Sequence, residues 1–278
     1  MTLAPDEIPR AEVVARLRAI EAEHDVRVVY AVESGSRAWG FASQDSDVDV
    51  RFLYARKPAW YLSVHPGRDV IETPVEGVFD VSGWDVRKAL GLFAKSNPPL
   101  LEWLRSPLVY LEETPAASVL RGLTPAFYSP RACFYHYQHM AASTYRSELR
   151  GESVKPKKYF YVLRPILCCH WIGADPEAPP PVVLDRLMDR FLPSGPVRES
   201  VDALLAAKRA GAEGDRIPPI PPLQSFIEAE LDRLDAAARD LPRPEANRAR
   251  LDVAFREILD AAWHDDGALR RTLDQATR

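Results

Sequence analysis

Cysteine is scarce in this chain: three in 278 residues, at Cys133, Cys168 and Cys169. An odd count with two of them adjacent excludes a disulfide framework and points to a reducing cytoplasm. Cys168-Cys169-His170 has no zinc-ligand spacing, because neighbouring side chains on a helix point apart, so these cysteines read as small buried hydrophobes. Glycine is also sparse, at 13 residues, and no run approaches the ~18 apolar residues of a membrane helix. The first ten residues carry Asp6, Glu7 and two prolines with no apolar centre, which is not the pattern of a secretory signal. Excess positive charge is lacking too. The net charge of −4 excludes a globally basic nucleic-acid coat. What remains is ordinary for a folded globular protein, with 46% apolar and 27% charged residues, while 25 prolines punctuate the chain.

Hydrophobic periodicity divides the chain in two. Residues 9–23 have helical spacing, with Val13, Val14, Leu17 and Ile20 on one stripe and Pro9 in the first turn. Val26–Val32 is β-branched and apolar, and Asp47–Tyr54 begins in strict alternation; both read as strands. Short strands are expected at Asp69–Thr73 and Gly77–Val81, joined by a turn at Pro74-Val75-Glu76-Gly77. Helical spacing starts at Val86, with Asp85 in its first turn, and breaks at Asn97-Pro98. A second helical piece covers Leu100–Leu104, and a last strand is placed at Leu108–Leu111. From Ser129 onward only helices are expected. They include one through about Leu149, one from Pro156 towards Trp171, and late stripes through Phe226–Leu234 and Leu251–Ala262. The proline clusters at 176–181 and 218–222 read as rigid loops between helices. No internal repeat is present. The expected architecture is α+β, with a mixed α/β part over residues 1–128 and an all-helical part over 129–278.

Chemistry concentrates in the first part. Gly35-Ser36 follows a strand and opens a short helix. Glycine permits close backbone approach to a phosphate, serine adds a hydroxyl, and the helix start offers free N–H groups. Arg37 adds a charge-assisted contact. Asp47 and Asp49, two apart on a strand, point the same way, while Val48 and Val50 face a core. Two like charges held together call for a cation, and an all-oxygen site suits Mg²⁺ or Mn²⁺. A third carboxylate comes from Asp80, set between Phe79 and Val81, or from Asp85. Asp80 is preferred because it lies mid-strand while Asp85 begins a helix. Three such groups can hold two metal ions about 3.5–4 Å apart for in-line phosphoryl displacement. Singly, each feature has an ordinary explanation as a turn or a solvated strand edge; their order along the chain is what carries the reading.

Gly35-Ser36, Asp47-x-Asp49 and an isolated Asp80 resemble the polymerase-β-type nucleotidyltransferase superfamily. The segments GSRAWGFASQDSDVDVRFLY (35–54), GWDVRKAL (83–90), KSNPPLLEWLRSPLVY (95–110) and KKYFYVLRP (157–165) are similar to its RNA-ligase-associated, RNA-repair branch, over roughly residues 28–172. Ser34 departs from the apolar residue common before that glycine in the wider superfamily. The resemblance implies a small nucleotidyltransferase palm with a short mixed sheet, then a helical domain contributing substrate contacts. It also implies NTP as substrate, Asp47 and Asp49 as metal ligands, and Asp80 as the third carboxylate, helping to activate the attacking hydroxyl. Gly35 and Ser36 would hold the phosphates.

Residues 146–164 carry six basic against two acidic side chains. Alone this is a solvated face with core aromatics. Beside a phosphate site, Lys157, Lys158 and Arg164 are candidates to grip the triphosphate, and Tyr159 to stack on a base. The expected activity is NMP transfer from an NTP to an acceptor hydroxyl with release of pyrophosphate, an RNA end being the favoured acceptor. NMP transfer to a small molecule or protein side chain is the alternative, and a non-catalytic nucleotide-binding or antitoxin-like partner is the rival of another class. Neither the NTP used nor the oligomeric state is legible.

Overall fold

The computed structural model describes residues 9–192, 194–211, 216–237, 241–242, 244 and 247–263. Helix α1 (Arg10–His24) leads into β1 (Val26–Glu33), a one-turn helix α2 (Gly35–Ala38) and β2 (Val48–Arg56). The short α3 (Pro58–Tyr61), β3 (Val70–Glu72) and β4 (Phe79–Asp85) follow. Next come α4 (Val86–Phe93), α5 (Pro98–Trp103), β5 (Val109–Leu111) and α6 (Ala116–Phe127). Beyond these lie α7 (Pro130–Thr144), which continues into a π turn at Tyr145–Leu149, then α8 (Lys157–Ala174), α9 (Leu184–Phe191), α10 (Pro196–Arg209), α11 (Pro221–Ala237) and α12 (Ala249–Trp263).

The five strands form one mixed sheet in the order β3-β4-β2-β1-β5. β2 and β4 are parallel, and the other neighbours are antiparallel. The fold is therefore α+β, as expected. Each face of the sheet has its own apolar layer, because side chains alternate along a strand. Val48, Val50 and Phe52 of β2 pack with Val13, Leu17 and Ile20 of α1. On the opposite face, Leu53, Tyr30 and Val32 join Val86, Leu90 and Phe93 of α4. That second cluster continues through Phe134, Phe160 and Leu163 to Ile258 and Leu259, so one apolar core runs from the sheet through the helical part. The last described helix returns to the sheet: the Trp263 Nε1–H donates to the Arg56 carbonyl at 3.0 Å, and Phe255 packs edge-on against Tyr61.

The elements differ from expectation in two ways. β4 runs on through Ser82-Gly83-Trp84 to Asp85, four residues past the expected end at Val81. These residues are paired on both sides, to β2 and to β3, and that pairing overrides weak strand propensity. The Phe52 ring occupies the space that a side chain at position 83 would need. Secondly, α6, α9 and α10 fill stretches where no element was assigned; α6 contains Pro125, which masks its periodicity.

Candidate active site

The parallel register of β2 and β4 sets Asp49 directly beside Asp80. Both project from the sheet face opposite Val48, Val50 and Val81, which are sealed beneath α1. Arg51, two residues on and therefore on the same face, bridges the pair. Its Nη2 donates to Asp80 Oδ2 at 2.7 Å and to Asp49 Oδ1 at 3.2 Å, and its Nη1 donates to the Asp80 carbonyl at 2.8 Å. Burial pushes the Asp49 carboxyl above its usual range. Arg51 works against that push, and the charges of Asp80 and Asp47 add to it. Asp47 lies exposed just before β2.

The turn after β1 is locked to this pair. The Ser34 N–H donates to the Asp49 carbonyl at 2.8 Å, and Glu33 Oε1 accepts from the Asp49 N–H at 2.9 Å. Gly35 has a φ of +58°, and a Cβ placed on it would collide with Asp49 Oδ2. Glycine is thus required twice, for conformation and for space. We predict that Gly35→Ala lowers the activity of this site by about tenfold or more, since a displacement of about an ångström in a reacting geometry costs that much, and that the strained turn also lowers the melting temperature by several degrees. Steady-state rates beside a thermal melt check it.

Glu33 is fully buried. Burial pushes its carboxyl from the ordinary 4.5 up to about 7, against the Tyr110 hydroxyl and the Asp49 N–H that it accepts. Between those values the folded chain holds a proton that the unfolded chain has released. This group's stabilisation is therefore complete below about 4.5 and is lost as pH rises through about 7, a change of about 3 kcal/mol. Glu33→Gln, which stays neutral, is expected to flatten the loss between pH 5 and pH 8; urea unfolding of both proteins at the two pH values measures it.

The remaining sequence-derived residues fall into different surroundings. Ser36 is half-buried in the first turn of α2. Arg37 is buried, and its guanidinium holds the loop before β2 by donating to the carbonyls of Asp47 (3.1 Å) and Ser46 (3.0 Å). Lys157 is exposed at the start of α8, and Lys158 pairs with Glu148 at 3.0 Å. Tyr159 is fully buried, and its hydroxyl accepts from the Ile220 N–H, so its ring has no open face for a base. Arg164 is 2% exposed and ion-paired to Glu102 at 2.9 Å. Asp85 points away from Asp80; buried, it accepts from the Tyr61 hydroxyl and caps α4 through the Arg87 N–H. The three cysteines are free and buried.

Next to the carboxylates opens a cavity of ≈ 310 Å³, bordered by Ser34, Arg51 and Ser82 on the sheet side. Trp39, Trp84, Trp103, Phe160 and Tyr161 supply aromatic walls. Trp84 and Trp103 stack at 4.0 Å, and Tyr161 meets Trp39 edge-on at 5.6 Å. Glu102 ties the walls together, accepting from the Trp39 indole (3.2 Å), the Tyr137 hydroxyl (2.7 Å) and Arg164. Of these wall residues the sequence singled out Arg164, and for a different task; the three tryptophans and Glu102 did not stand out. The tryptophans come from three separate segments and share no spacing, and Arg51 was not singled out either. The cavity's wall residues come from both the sheet part and α8.

Asp49 and Asp80 fit a hard divalent cation by donor chemistry, two adjoining carboxylates with excess negative charge. Among the described residues no three Asp, Glu, His or Cys side chains form a ready-made metal cage. Further oxygens would have to come from Asp47, a substrate phosphate and water.

Comparison with known proteins adds the following. Residues 10–257 match the model of a family described as the RNA repair pathway DNA polymerase beta family. The protein "Uncharacterized protein YcgL" of Bacillus subtilis (strain 168) is 44% identical over 260 residues, covering 93% of this chain and 100% of the relative. Among solved structures, a nucleotidyltransferase-like protein from Exiguobacterium sibiricum 255-15 is similar at 12% identity and a TM-score of 0.31, over 82% of this chain and 74% of that one.

Proposed function

Because this chain belongs to the RNA repair pathway DNA polymerase beta family, a polymerase-β-type nucleotidyltransferase family, we propose that it is a metal-dependent enzyme moving NMP from an NTP to an acceptor hydroxyl, with an RNA end as acceptor. The observation that carries this reading is the Asp49–Asp80 pair, set in register on adjacent parallel strands against the Gly35 turn, with Arg51 reaching from the pair to the wall of an aromatic cavity.

Each part of the site has a task. The first N–H groups of α2, at Gly35 and Ser36, have no partner within the helix and receive phosphate oxygens. Asp49 and Asp80, with Asp47, would hold Mg²⁺ or Mn²⁺, which supplies charge neutralisation at the α-phosphate. Asp80, the more exposed of the pair, accepts the proton of the attacking hydroxyl. The acceptor oxygen bonds to the α-phosphorus as the bond to the β-phosphate oxygen breaks, and pyrophosphate carries away the electron pair. The tryptophans and Tyr161 hold the nucleoside and exclude water. In this reading residues 1–128 act as the palm and 129–278 as the helical part that contributes substrate contacts.

One observation favours a small acceptor as a second reading. The net charge of −4 leaves little overall positive field to neutralise the phosphates of a long polynucleotide. The test covers both readings. The protein is incubated with each α-labelled NTP, Mg²⁺ or Mn²⁺ and short RNA and DNA strands, with Asp49→Asn alongside. Label on RNA that is absent with the variant supports the first reading. Label on a small molecule or on protein supports the second. No transfer to any acceptor, with nucleotide bound equally well by the variant, overturns the enzymatic reading.

A further inference from the structure

We propose that Arg51 is a stand-in cation for the carboxylate pair, and that it is handed over to the nucleotide's phosphates when a divalent metal ion takes its place; this rests on the function proposed above. The guanidinium spans two strands to reach both Asp49 and Asp80, and this internal countercharge opposes the burial that pushes Asp49 towards its neutral form. A divalent ion on the same oxygens and the guanidinium in its present position exclude each other, because two cations would share one pair of carboxylates. The side chain also borders the aromatic cavity beside Ser34 and Ser82. Turning the fork from the carboxylates to that space, where its planar donors match phosphate oxygens, also releases the Val50 and Asp80 carbonyls to which its Nη1 now donates. The other cation on the cavity wall, Arg164, is held by Glu102 and the Val182 carbonyl. Arg37 is engaged with the Asp47 and Ser46 carbonyls, and Lys158 with Glu148. Arg51 differs from these because its two carboxylate partners are the ones that a divalent ion would take.

The proposal predicts opposite changes in two affinities of one variant. In the full chain, Arg51→Met removes the competitor for the carboxylates and the grip on the phosphates together. Binding of Mn²⁺ alone, followed by its electron paramagnetic resonance signal, is expected to tighten by about tenfold, and binding of a non-hydrolysable NTP analogue with Mn²⁺ to weaken by about tenfold. Arg51→Lys keeps the charge without the fork and is expected to fall between wild type and Arg51→Met on both measurements. It is read alone if circular dichroism shows Arg51→Met unfolded. A merely structural arginine would weaken both affinities together, and that result overturns the proposal, as does Mn²⁺ binding that is unchanged or nucleotide binding within twofold of wild type. Asp49→Asn is the control. If wild type binds Mn²⁺ and nucleotide no better than this variant, the proposed function falls and the Arg51 inference falls with it. If wild type binds both and only the Arg51 variants disagree, the function stands and the inference alone is overturned.

Discussion

Asp49→Asn and Asp80→Asn, each alone, are expected to lower the rate of nucleotidyl transfer by at least about a hundredfold, equivalent to about 2.7 kcal/mol of transition-state stabilisation. The two carboxylates adjoin in parallel register and share Arg51 as their countercharge, so they act as one unit. The double variant is then no slower than the slower single variant within a few-fold, because effects within a unit do not add. Stability is expected to move the other way at position 49. Burial already disfavours the Asp49 charge, so a neutral amide of the same shape relieves a cost that the native side chain carries. Single-turnover rates with thermal melts separate the two effects. Activity of Asp80→Asn within threefold of wild type would remove Asp80 from the chemistry. Asp85 would not take its place, since that carboxyl is committed to Tyr61 and to the first turn of α4.

That distinction between Asp80 and Asp85 was legible in outline, because both questions are local. Strand alternation and the cap before Val86 are properties of a few neighbouring residues, and they separate a mid-strand carboxylate from a capping one. The Gly35-Ser36 turn and the strand position of Asp49 were legible for the same reason, whereas Asp47, expected on the same strand, lies exposed just before it. What the sequence hid depends on contacts across the chain. α8 is buried on nearly every side, including Tyr159, Phe160, Leu163, Arg164 and Cys168, so its periodicity carried no face. Lys157 and Lys158 at its exposed start made the whole segment look basic and available, whereas Tyr159 and Arg164 turn inward. The cavity could not be read either. Trp39, Trp84, Trp103 and Tyr161 are brought together by the packing of α2, β4, α5 and α8, and nothing in their spacing shows it. Arg51 was hidden differently: the alternation that placed Asp49 also places Arg51, but only the β2–β4 register gives it a second carboxylate.

Arg164 offers the sharpest contrast between a residue that binds substrate and one that holds the wall of the site, and Arg164→Ala is expected to cost about 3–5 kcal/mol of stability. The guanidinium lies over the Trp39 ring at 4.5 Å, donates twice to the Val182 carbonyl and pairs with Glu102, itself largely buried. Its removal leaves a buried carboxylate with only the Tyr137 hydroxyl and the Trp39 indole, and a carbonyl without its donors. The melting temperature should fall on the order of 10 °C. Arg164→Lys should recover little, because one ammonium cannot serve the ring, the carbonyl and the carboxylate at once. Combining Arg164→Ala with Glu102→Gln should recover part of the loss, since a neutral amide no longer strands a charge, its oxygen can accept from the Trp39 indole and its NH2 can donate to the Tyr137 hydroxyl. A residue that gripped phosphates would behave in the opposite way: the alanine variant would melt within a degree or two of wild type and lose nucleotide affinity alone. Unfolding curves of the three variants, set beside nucleotide titrations, decide between them.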